Sequence, residues 1–215
     1  MMKILMGVFL SNLFILILLG LASVLEKKYK VRPEATRKLI HIGACNWWFI
    51  AMIYFDSALT AAIVPVMFVI VNLIQYKKHL FTSMVRKESK SDLGPIYYAV
   101  SLLVLSIWSF GIGRPEIGGI GVLIMGYADG FAALVGIRYG KVKLIHGKTL
   151  AGTLTGFVVA ALVVIGFDVF FQLELDTISV LSIALFATLA ELFTPKGLDN
   201  LLVPIGCSLL VYLFV

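Results

Sequence analysis

Apolar residues form long runs along this chain, and short polar stretches separate the runs. Eight runs can be distinguished, at residues 4–25, 40–54, 58–75, 95–110, 117–137, 150–171, 178–193 and 201–215. Because a helix needs about 20 apolar residues to cross a bilayer, the shorter runs predict tilted or broken helices. The runs lack the alternation of a membrane β-barrel. The pattern predicts an all-α, polytopic transmembrane bundle of about eight spans, with seven spans as the alternative.

The composition agrees with an integral membrane protein. Of the 215 residues, 60% are apolar and only 14% are charged, whereas a soluble domain carries roughly 25% charge. The mean hydropathy is +1.02. The chain is therefore expected to form one membrane domain over residues 1–215, without a separate soluble domain. Cys45 and Cys207 lie in apolar runs, which predicts buried thiols rather than a disulfide framework.

The basic residues indicate how the chain is oriented in the membrane. Of the 18 Lys and Arg residues, all except Lys3 and Arg114 lie in or beside the odd-numbered links between runs. The positive-inside rule then places these links in the cytoplasm and both termini outside. The net charge of +6 is spread over short loops, which argues against a nucleic-acid partner. We expect a multi-pass protein of the cell membrane or another cellular membrane.

Asp129 is a carboxylate inside the apolar run 117–137. An acid within a span is costly and usually faces a protein interior, an ion or a polar pathway. Gly130, Gly136 and the nearby small residues would permit a close approach by another helix or a ligand. We interpret Asp129 as a candidate Mg²⁺ ligand near phosphate. A buried acid paired with Lys or Arg is the alternative.

A basic loop follows Asp129 and leads into the next run. Lys148 and Thr149 stand at the expected start of a helix, where free backbone N–H groups and the helix dipole favour an anion. The loop is not a Walker A motif, because Val142 occupies the position of its first Gly. Phosphate binding is our interpretation, and a simple helix cap by Thr149 is the alternative.

Further polar groups lie at the same predicted side of the membrane. Arg37, Lys38 and His41 open the second run, and Arg37 and His41 share one helix face. Such cations are suited to binding phosphate, although topology-setting charge is an equal alternative for Arg37 and Lys38. Near the end of the chain, Glu191, Asp199 and Asn200 flank a turn and are candidates to join Asp129. Asp199 or Asn200 as a helix cap is the alternative.

Taken in order, these groups resemble the CTP-dependent lipid alcohol kinases, namely dolichol kinase, phytol kinase and the CTP-dependent diacylglycerol kinase. The family is itself similar to the phosphatidate cytidylyltransferases in its membrane region. The matching motifs are Arg37-Lys38 with His41 and Gly43; Asp129-Gly130 with Gly136 and Gly140; Lys148-Thr149 with Gly152-Thr153; and Glu191 with Asp199-Asn200 and Val203-Pro204. They span about residues 32–206. Two departures are Ala133, where many members have a second Asp, and Ala151, where many have Glu.

The resemblance implies transfer of the γ-phosphate of CTP to a membrane alcohol, with Mg²⁺ or another divalent cation as cofactor and the site on the cytoplasmic face. The implied catalytic residues are Arg37, Lys38, Asp129, Lys148 and Glu191, with Asp129 also as the metal ligand. The implied nucleotide- and phosphate-binding residues are His41, Gly130, Gly136, Gly140, Lys141, Thr149, Gly152, Thr153, Asp199 and Asn200. The alcohol (polyprenol or dolichol, a phytol-like isoprenoid, or diacylglycerol) and the oligomeric state, with a homodimer as one option, stay open.

Two other functional classes fit parts of the pattern. A phosphatidate cytidylyltransferase-like enzyme would use similar groups to move CMP onto a lipid phosphate. An ion-coupled transporter would use Asp129 as a proton or ion site. Transporters usually carry paired repeats with charges at the midplane, whereas this chain shows no clear repeat and its candidate groups gather at one side.

Overall fold

A computed structural model describes residues 1–78, 93–195 and 197–215 of the chain, and these residues fold almost entirely into helices. The helices are α1 (Met2–Lys27), α2 (Pro33–Cys45), α3 (Trp47–Tyr54), α4 (Ala58–Lys78), α5 (Gly94–Gly111), α6 (Pro115–Leu123), α7 (Gly130–Tyr139), α8 (Leu150–Phe171), α9 (Thr177–Phe193) and α10 (Asp199–Phe214). A π-helical stretch, Ile124–Asp129, joins α6 to α7, and a 3-10 turn lies at Ile145–Gly147. In these ranges the only extended pairing is an isolated bridge between Lys143 and Thr149.

Each predicted apolar run coincides with a helical segment, which confirms the all-α polytopic bundle. Five segments in the described ranges are long and apolar enough to cross a membrane: α1, α4, α5, α8 and the stretch from α6 to α7. The helices α9 and α10 are apolar but shorter. The second segment is divided into α2 and α3, so the prediction of a broken helix is confirmed for this short run. The basic residues Arg86, Lys87, Lys90 and Lys196 lie outside the described residues.

Asn46 marks the break in the second segment. Its side-chain Nδ2 donates to the carbonyl oxygens of Ile42 at 2.9 Å and Gly43 at 3.2 Å. A side-chain amide bonded in this way competes with the backbone bonds that would continue the helix. The segment also begins earlier than the apolar run, because Pro33 occupies the first helical position, where its fixed φ favours a helix start.

The core lies where α3, α5, α6 and α10 meet. Trp47 and Trp48 are fully buried there, with Leu105 and Ile120. Both indole N–H groups have partners: Trp47 Nε1 donates to Ser11 Oγ at 2.9 Å, and Trp48 Nε1 donates to the Pro115 carbonyl oxygen at 2.9 Å. A buried indole usually needs such a partner, so these two tryptophans fix α1 and α6 against α3.

Two ion pairs identify one end of the bundle. Lys3 Nζ lies 2.7 Å from Asp56 Oδ1, and Arg114 Nε lies 2.8 Å from Glu116 Oε1. Both pairs lie at the same end, because α4 and α5 pack as an antiparallel pair with Gly111 beside the start of α4. The polar groups that the sequence predicts to carry chemistry lie at the opposite end.

Candidate active site

A cavity of about 430 Å³ lies at this opposite end of the bundle. Its walls are the start of α2, the length of α7, the loop between α7 and α8, the start of α8, the end of α9 and the start of α10. All the predicted site residues except Gly130 and Lys141 line it: Arg37, Lys38, His41, Asp129, Gly136, Gly140, Lys148, Thr149, Gly152, Thr153, Glu191, Asp199 and Asn200. Residues spread over most of the chain therefore meet in one place. We call it the polar cavity.

Asp129 is buried against two groups of α2. Lys38 Nζ donates to Asp129 Oδ2 at 2.5 Å, and each side chain is only about one-tenth exposed. His41 Nε2 lies 3.3 Å from the same carboxylate oxygen and 3.2 Å from the carbonyl oxygen of Met125. Since both neighbours of Nε2 are acceptors, a proton on that nitrogen satisfies them both. Lys38 is thus the ion-pair partner of the acid within the span.

Close packing between α2 and the π-helical stretch brings these groups together. A Cβ atom on Gly130 would meet the side chain of Ile42, so a larger residue there would push α2 away. Asp129 is the last residue of the π-helical stretch Ile124–Asp129. Such wide turns occur often at functional sites, because they turn a side chain away from the register of a regular helix. Here the arrangement allows Lys38 to reach Asp129.

Lys148 forms the second charged cluster of the polar cavity. Its Nζ lies 2.6 Å from Glu191 Oε1 and 4.0 Å from Asp199 Oδ2, and it also donates to the carbonyl oxygen of Glu191. The next residue, Thr149, caps α8, because its Oγ1 accepts a bond from the backbone N–H of Gly152 at 3.2 Å. The cap that the sequence left as an alternative is therefore present, directly beside a lysine held by acids.

The loop before α8 holds Lys148 in position through its own backbone. Leu144 N donates to the carbonyl oxygen of Lys148 at 2.7 Å, and Leu150 N donates to that of Val142 at 3.0 Å. Between them Gly147 has a φ of +75°, in the left-handed region where glycine avoids the steric penalty of a side chain. The loop is thus a closed turn rather than a free linker.

Two residues that the sequence did not single out, and a lysine of the predicted basic loop, also line the polar cavity. Glu34 Oε1 accepts from the Arg37 guanidinium at 2.7 Å, and the three-residue spacing within α2 is a signal that could have found this pair. The carbonyl oxygen of Gly94 accepts from Asn200 Nδ2 at 3.1 Å. Lys143 lies on the loop wall. No local pattern points to the contact between Gly94 and Asn200, because 106 residues separate them.

Two predicted binding residues lie elsewhere. Gly130 faces Ile42, and its position makes it a packing residue between α2 and α7. Lys141 is exposed and does not line the polar cavity. Neither residue lines the polar cavity, so Gly130 and Lys141 stay predictions as nucleotide-binding residues.

The polar cavity is balanced in formal charge. Its lining includes four basic side chains, Arg37, Lys38, Lys143 and Lys148, and four acidic ones, Glu34, Asp129, Glu191 and Asp199. A polyanion such as a nucleoside triphosphate would bring an excess of negative charge into this environment. A divalent cation arriving with the phosphates would offset that excess, which makes the arrangement compatible with a metal-bound nucleotide.

A metal ion in the polar cavity would need ligands from the nucleotide or from water beside a carboxylate of the chain. The described residues contain no group of three His, Cys, Asp or Glu side chains placed to hold an ion by themselves. Ala133 lines the polar cavity one turn after Asp129, so α7 supplies no second acid there. Mg²⁺ commonly uses one or two carboxylates together with substrate phosphates and water. Asp129 therefore suits a magnesium ion shared with a nucleotide rather than a resident metal.

Comparisons with known proteins point to a single activity. The chain is 32% identical to the phytol kinase of Synechocystis sp. over 189 residues, which cover 83% of this chain and 78% of that protein. It is 30% identical over 211 residues to probable phytol kinase 1, chloroplastic, of Oryza sativa, covering 85% of this chain and 65% of that protein. A probable phytol kinase, chloroplastic, of Zea mays is 27% identical over 216 residues, covering 88% and 69%. No protein-family model and no solved structure matches the chain.

Proposed function

Because the chain belongs to the family of lipid alcohol kinases that includes the phytol kinases, we propose that it phosphorylates a phytol-like isoprenoid alcohol within the membrane. The proposed donor is CTP, bound with Mg²⁺ in the polar cavity on the cytoplasmic side. The observation that carries the proposal is the meeting of the Lys38–Asp129 pair and the Lys148 cluster in one cavity at the end of the bundle.

The size and position of the polar cavity support a nucleotide as one substrate. Its volume of about 430 Å³ falls within the roughly 300–1,000 Å³ that is usual for small-molecule sites. It lies at a bundle end, where a water-soluble nucleotide and a membrane alcohol can both arrive. The basic links between spans support the assignment of this end to the cytoplasm.

The cations of the polar cavity would bind the phosphates. In this proposal, phosphate oxygens exchange with carboxylate oxygens as the partners of Lys38 and Lys148. Arg37 adds a guanidinium, whose planar donors match phosphate geometry. Backbone N–H groups at the start of α8 add further donors, and the helix dipole favours an anion there. Phosphoryl transfer depends chiefly on such positioning and charge stabilisation.

The carboxylates have two tasks in the proposed reaction. Asp129 would hold a magnesium ion, which when bound supplies charge neutralisation on the phosphate oxygens. The alcohol oxygen attacks the γ-phosphorus, the bond to the bridging β–γ oxygen breaks, and the nucleoside diphosphate leaves. The proton of the alcohol passes to a carboxylate, either Asp129 or Glu191, acting as general base. The products are the lipid monophosphate and the nucleoside diphosphate.

A donor and acceptor panel tests the proposal. Purified protein in lipid nanodiscs would receive phytol, Mg²⁺ and one of CTP, UTP, ATP or GTP, and mass spectrometry would detect phytyl phosphate. We expect the product with CTP at a rate well above that with the other three nucleotides. Replacing phytol in turn by farnesol, a polyprenol and diacylglycerol, and comparing the rates, shows which alcohol is the preferred acceptor. Formation of product from none of the alcohols with any nucleotide would refute the kinase assignment for this chain.

A further inference from the structure

A second cavity lies inside the bundle beside the polar cavity. It measures about 160 Å³ and lies between α1, α2, α4 and α5, with Asn200 of α10 at one end. Its walls are mostly apolar and include Leu18 on α1, Phe68 on α4 and Leu102 on α5. We call it the apolar cavity. None of its apolar wall residues takes part in the charged clusters described above.

The two cavities meet at a shared wall. Arg37, His41, Gly94 and Asn200 line both of them. His41 is the residue that also touches Asp129, with Nε2 at 3.3 Å from the carboxylate oxygen. A molecule with a polar head near Asp129 and an apolar body would therefore pass His41 on its way from one cavity to the other.

The apolar cavity also reaches the lipid-facing surface of the bundle. Val71 lines it and is nevertheless 54% exposed on α4. On α5 the lining runs from Gly94 to Leu102, which corresponds to about 12 Å of helix at 1.5 Å per residue. The cavity thus extends from the level of the polar cavity into the depth of the bilayer, with a side exit at Val71.

We propose that the apolar cavity holds the hydrocarbon chain of the alcohol substrate, in the part nearest the hydroxyl group. This inference rests on the proposed function. The volume is smaller than the roughly 300–1,000 Å³ of sites that enclose a whole ligand. The cavity accordingly takes the first part of one chain, and the remainder of a long chain emerges past Val71 into the bilayer. The hydroxyl group then lies near His41, facing the nucleotide.

The shape of the site favours a single-chain alcohol as the occupant. Another apolar space, beside Asp129, also shares a wall with the polar cavity, but it measures only about 20 Å³ and is too small for a hydrocarbon chain. The apolar cavity is the larger of the two, and burial of hydrocarbon there is favourable in proportion to the area covered. A single branched prenyl chain fills one such space. An ordinary phospholipid carries a large charged head group that the shared wall would have to admit together with its chains.

A pair of matched variants on α4 tests the inference. Val71→Trp fills the exit, whereas Ile70→Trp makes a comparable change beside it; Ile70 is 51% exposed and does not line the apolar cavity. For Val71→Trp we expect the KM for phytol to rise about tenfold or more, since overpacking costs typically 1–3 kcal/mol. The KM for the nucleotide and the turnover of a short alcohol such as prenol should stay within about twofold. Ile70→Trp should leave all three values within about twofold, since it changes a lipid-facing position.

The outcomes separate this inference from the proposed function. If the wild-type protein phosphorylates no alcohol, the proposed function is wrong. The inference that the apolar cavity holds the hydrocarbon chain of the alcohol is then wrong as well. If the wild-type protein phosphorylates phytol and Val71→Trp has the same KM for phytol as Ile70→Trp, the inference about the apolar cavity is wrong while the kinase assignment stands.

Photolabelling of the unmodified protein gives a second test that needs no variant. A phytol analogue with a diazirine near its hydroxyl end would be activated by light, and the labelled peptides would be identified by mass spectrometry. We expect label on the lining residues of α1, α4 or α5. Excess phytol present during illumination should prevent this labelling, whereas excess phospholipid should not. Label confined to the outer faces of α8 and α9, or labelling that phospholipid prevents as well as phytol does, would overturn the inference.

Discussion

Asp129 is the residue on which the charges of the polar cavity converge. Its Oδ2 accepts a hydrogen bond from Lys38 Nζ at 2.5 Å and lies 3.3 Å from His41 Nε2, although the residue stands within an apolar span. The sequence alone presented metal binding and pairing with a basic residue as alternatives. The structure shows the pairing, and in the proposed reaction both descriptions apply in turn, since Lys38 changes partner when phosphate binds.

The substitution Asp129→Asn should abolish phosphorylation and also destabilise the protein. Removing one partner of a buried ion pair leaves the other charge unpaired, at a cost of about 3–5 kcal/mol. The double variant Lys38→Met with Asp129→Asn removes both charges and should recover most of that stability, as measured by thermal unfolding in detergent. Activity should stay at least about 1,000-fold below wild type in both variants, since charge stabilisation at the phosphates is lost.

The two measurements separate a structural pair from a catalytic one. A double variant that regained stability together with wild-type turnover would mean that Lys38 and Asp129 serve the fold alone. Recovery of stability without turnover is the result that the proposed mechanism requires.

At the scale of the elements, packing between glycine and a branched side chain positions α2. A Cβ atom on Gly130 would meet Ile42, so Gly130→Ala should lower both the melting temperature and the activity. Adding Ile42→Ala in the same chain opens space and should restore part of both. Gly166→Ala on α8 is the matched control, because nothing lies within 4 Å of its added Cβ, and alanine favours a helix interior. Activity of Gly130→Ala equal to that of Gly166→Ala would contradict the packing role.

The sequence predicted the elements better than their contacts. Apolar runs located each α-helical segment of the described residues, because burial in lipid or in the core demands continuous apolar residues. The helix start at Thr149 also followed from its type and position. The pairing of Lys38 with Asp129, which are 91 residues apart, could not be read locally, since any of the basic residues at that end could have served. The break at Asn46 depends on its side-chain bonds to the preceding turn, which the run of apolar residues concealed.

The resemblance to lipid alcohol kinases predicted which distant residues belong to one site, which the spacing of residues along the chain could not do. It joined four weak motifs into one expected site, and the structure brings nearly all of their polar residues to one cavity. It gave no indication of the apolar cavity, because most of the lining consists of ordinary apolar side chains, such as leucine, isoleucine and valine, on four separate helices. Such residues carry no signal in the sequence beyond their hydrophobicity.

At the scale of the whole molecule, the two bundle ends should face opposite sides of the membrane. Ser57 lies at the end with the ion pair between Lys3 and Asp56, and Lys141 lies at the end with the polar cavity; both are exposed. A membrane-impermeant thiol reagent should therefore label Ser57→Cys in intact cells, and Lys141→Cys only after the membrane is opened. The natural Cys45 and Cys207 are fully buried and should give little background. Labelling in the reverse order would mean that the polar cavity faces outward.

In the proposed function, this membrane bundle transfers a terminal phosphate to an alcohol. The most direct test gives the purified protein phytol and Mg²⁺ with CTP labelled at either the α- or the γ-phosphate, and then measures the label in the lipid fraction. We predict label in phytyl phosphate from the γ-position alone. Label from the α-position would mean transfer of CMP, as in a cytidylyltransferase. Absence of label from both positions, with lipid phosphates also supplied as acceptors, would contradict the kinase account and favour an ion-coupled transporter.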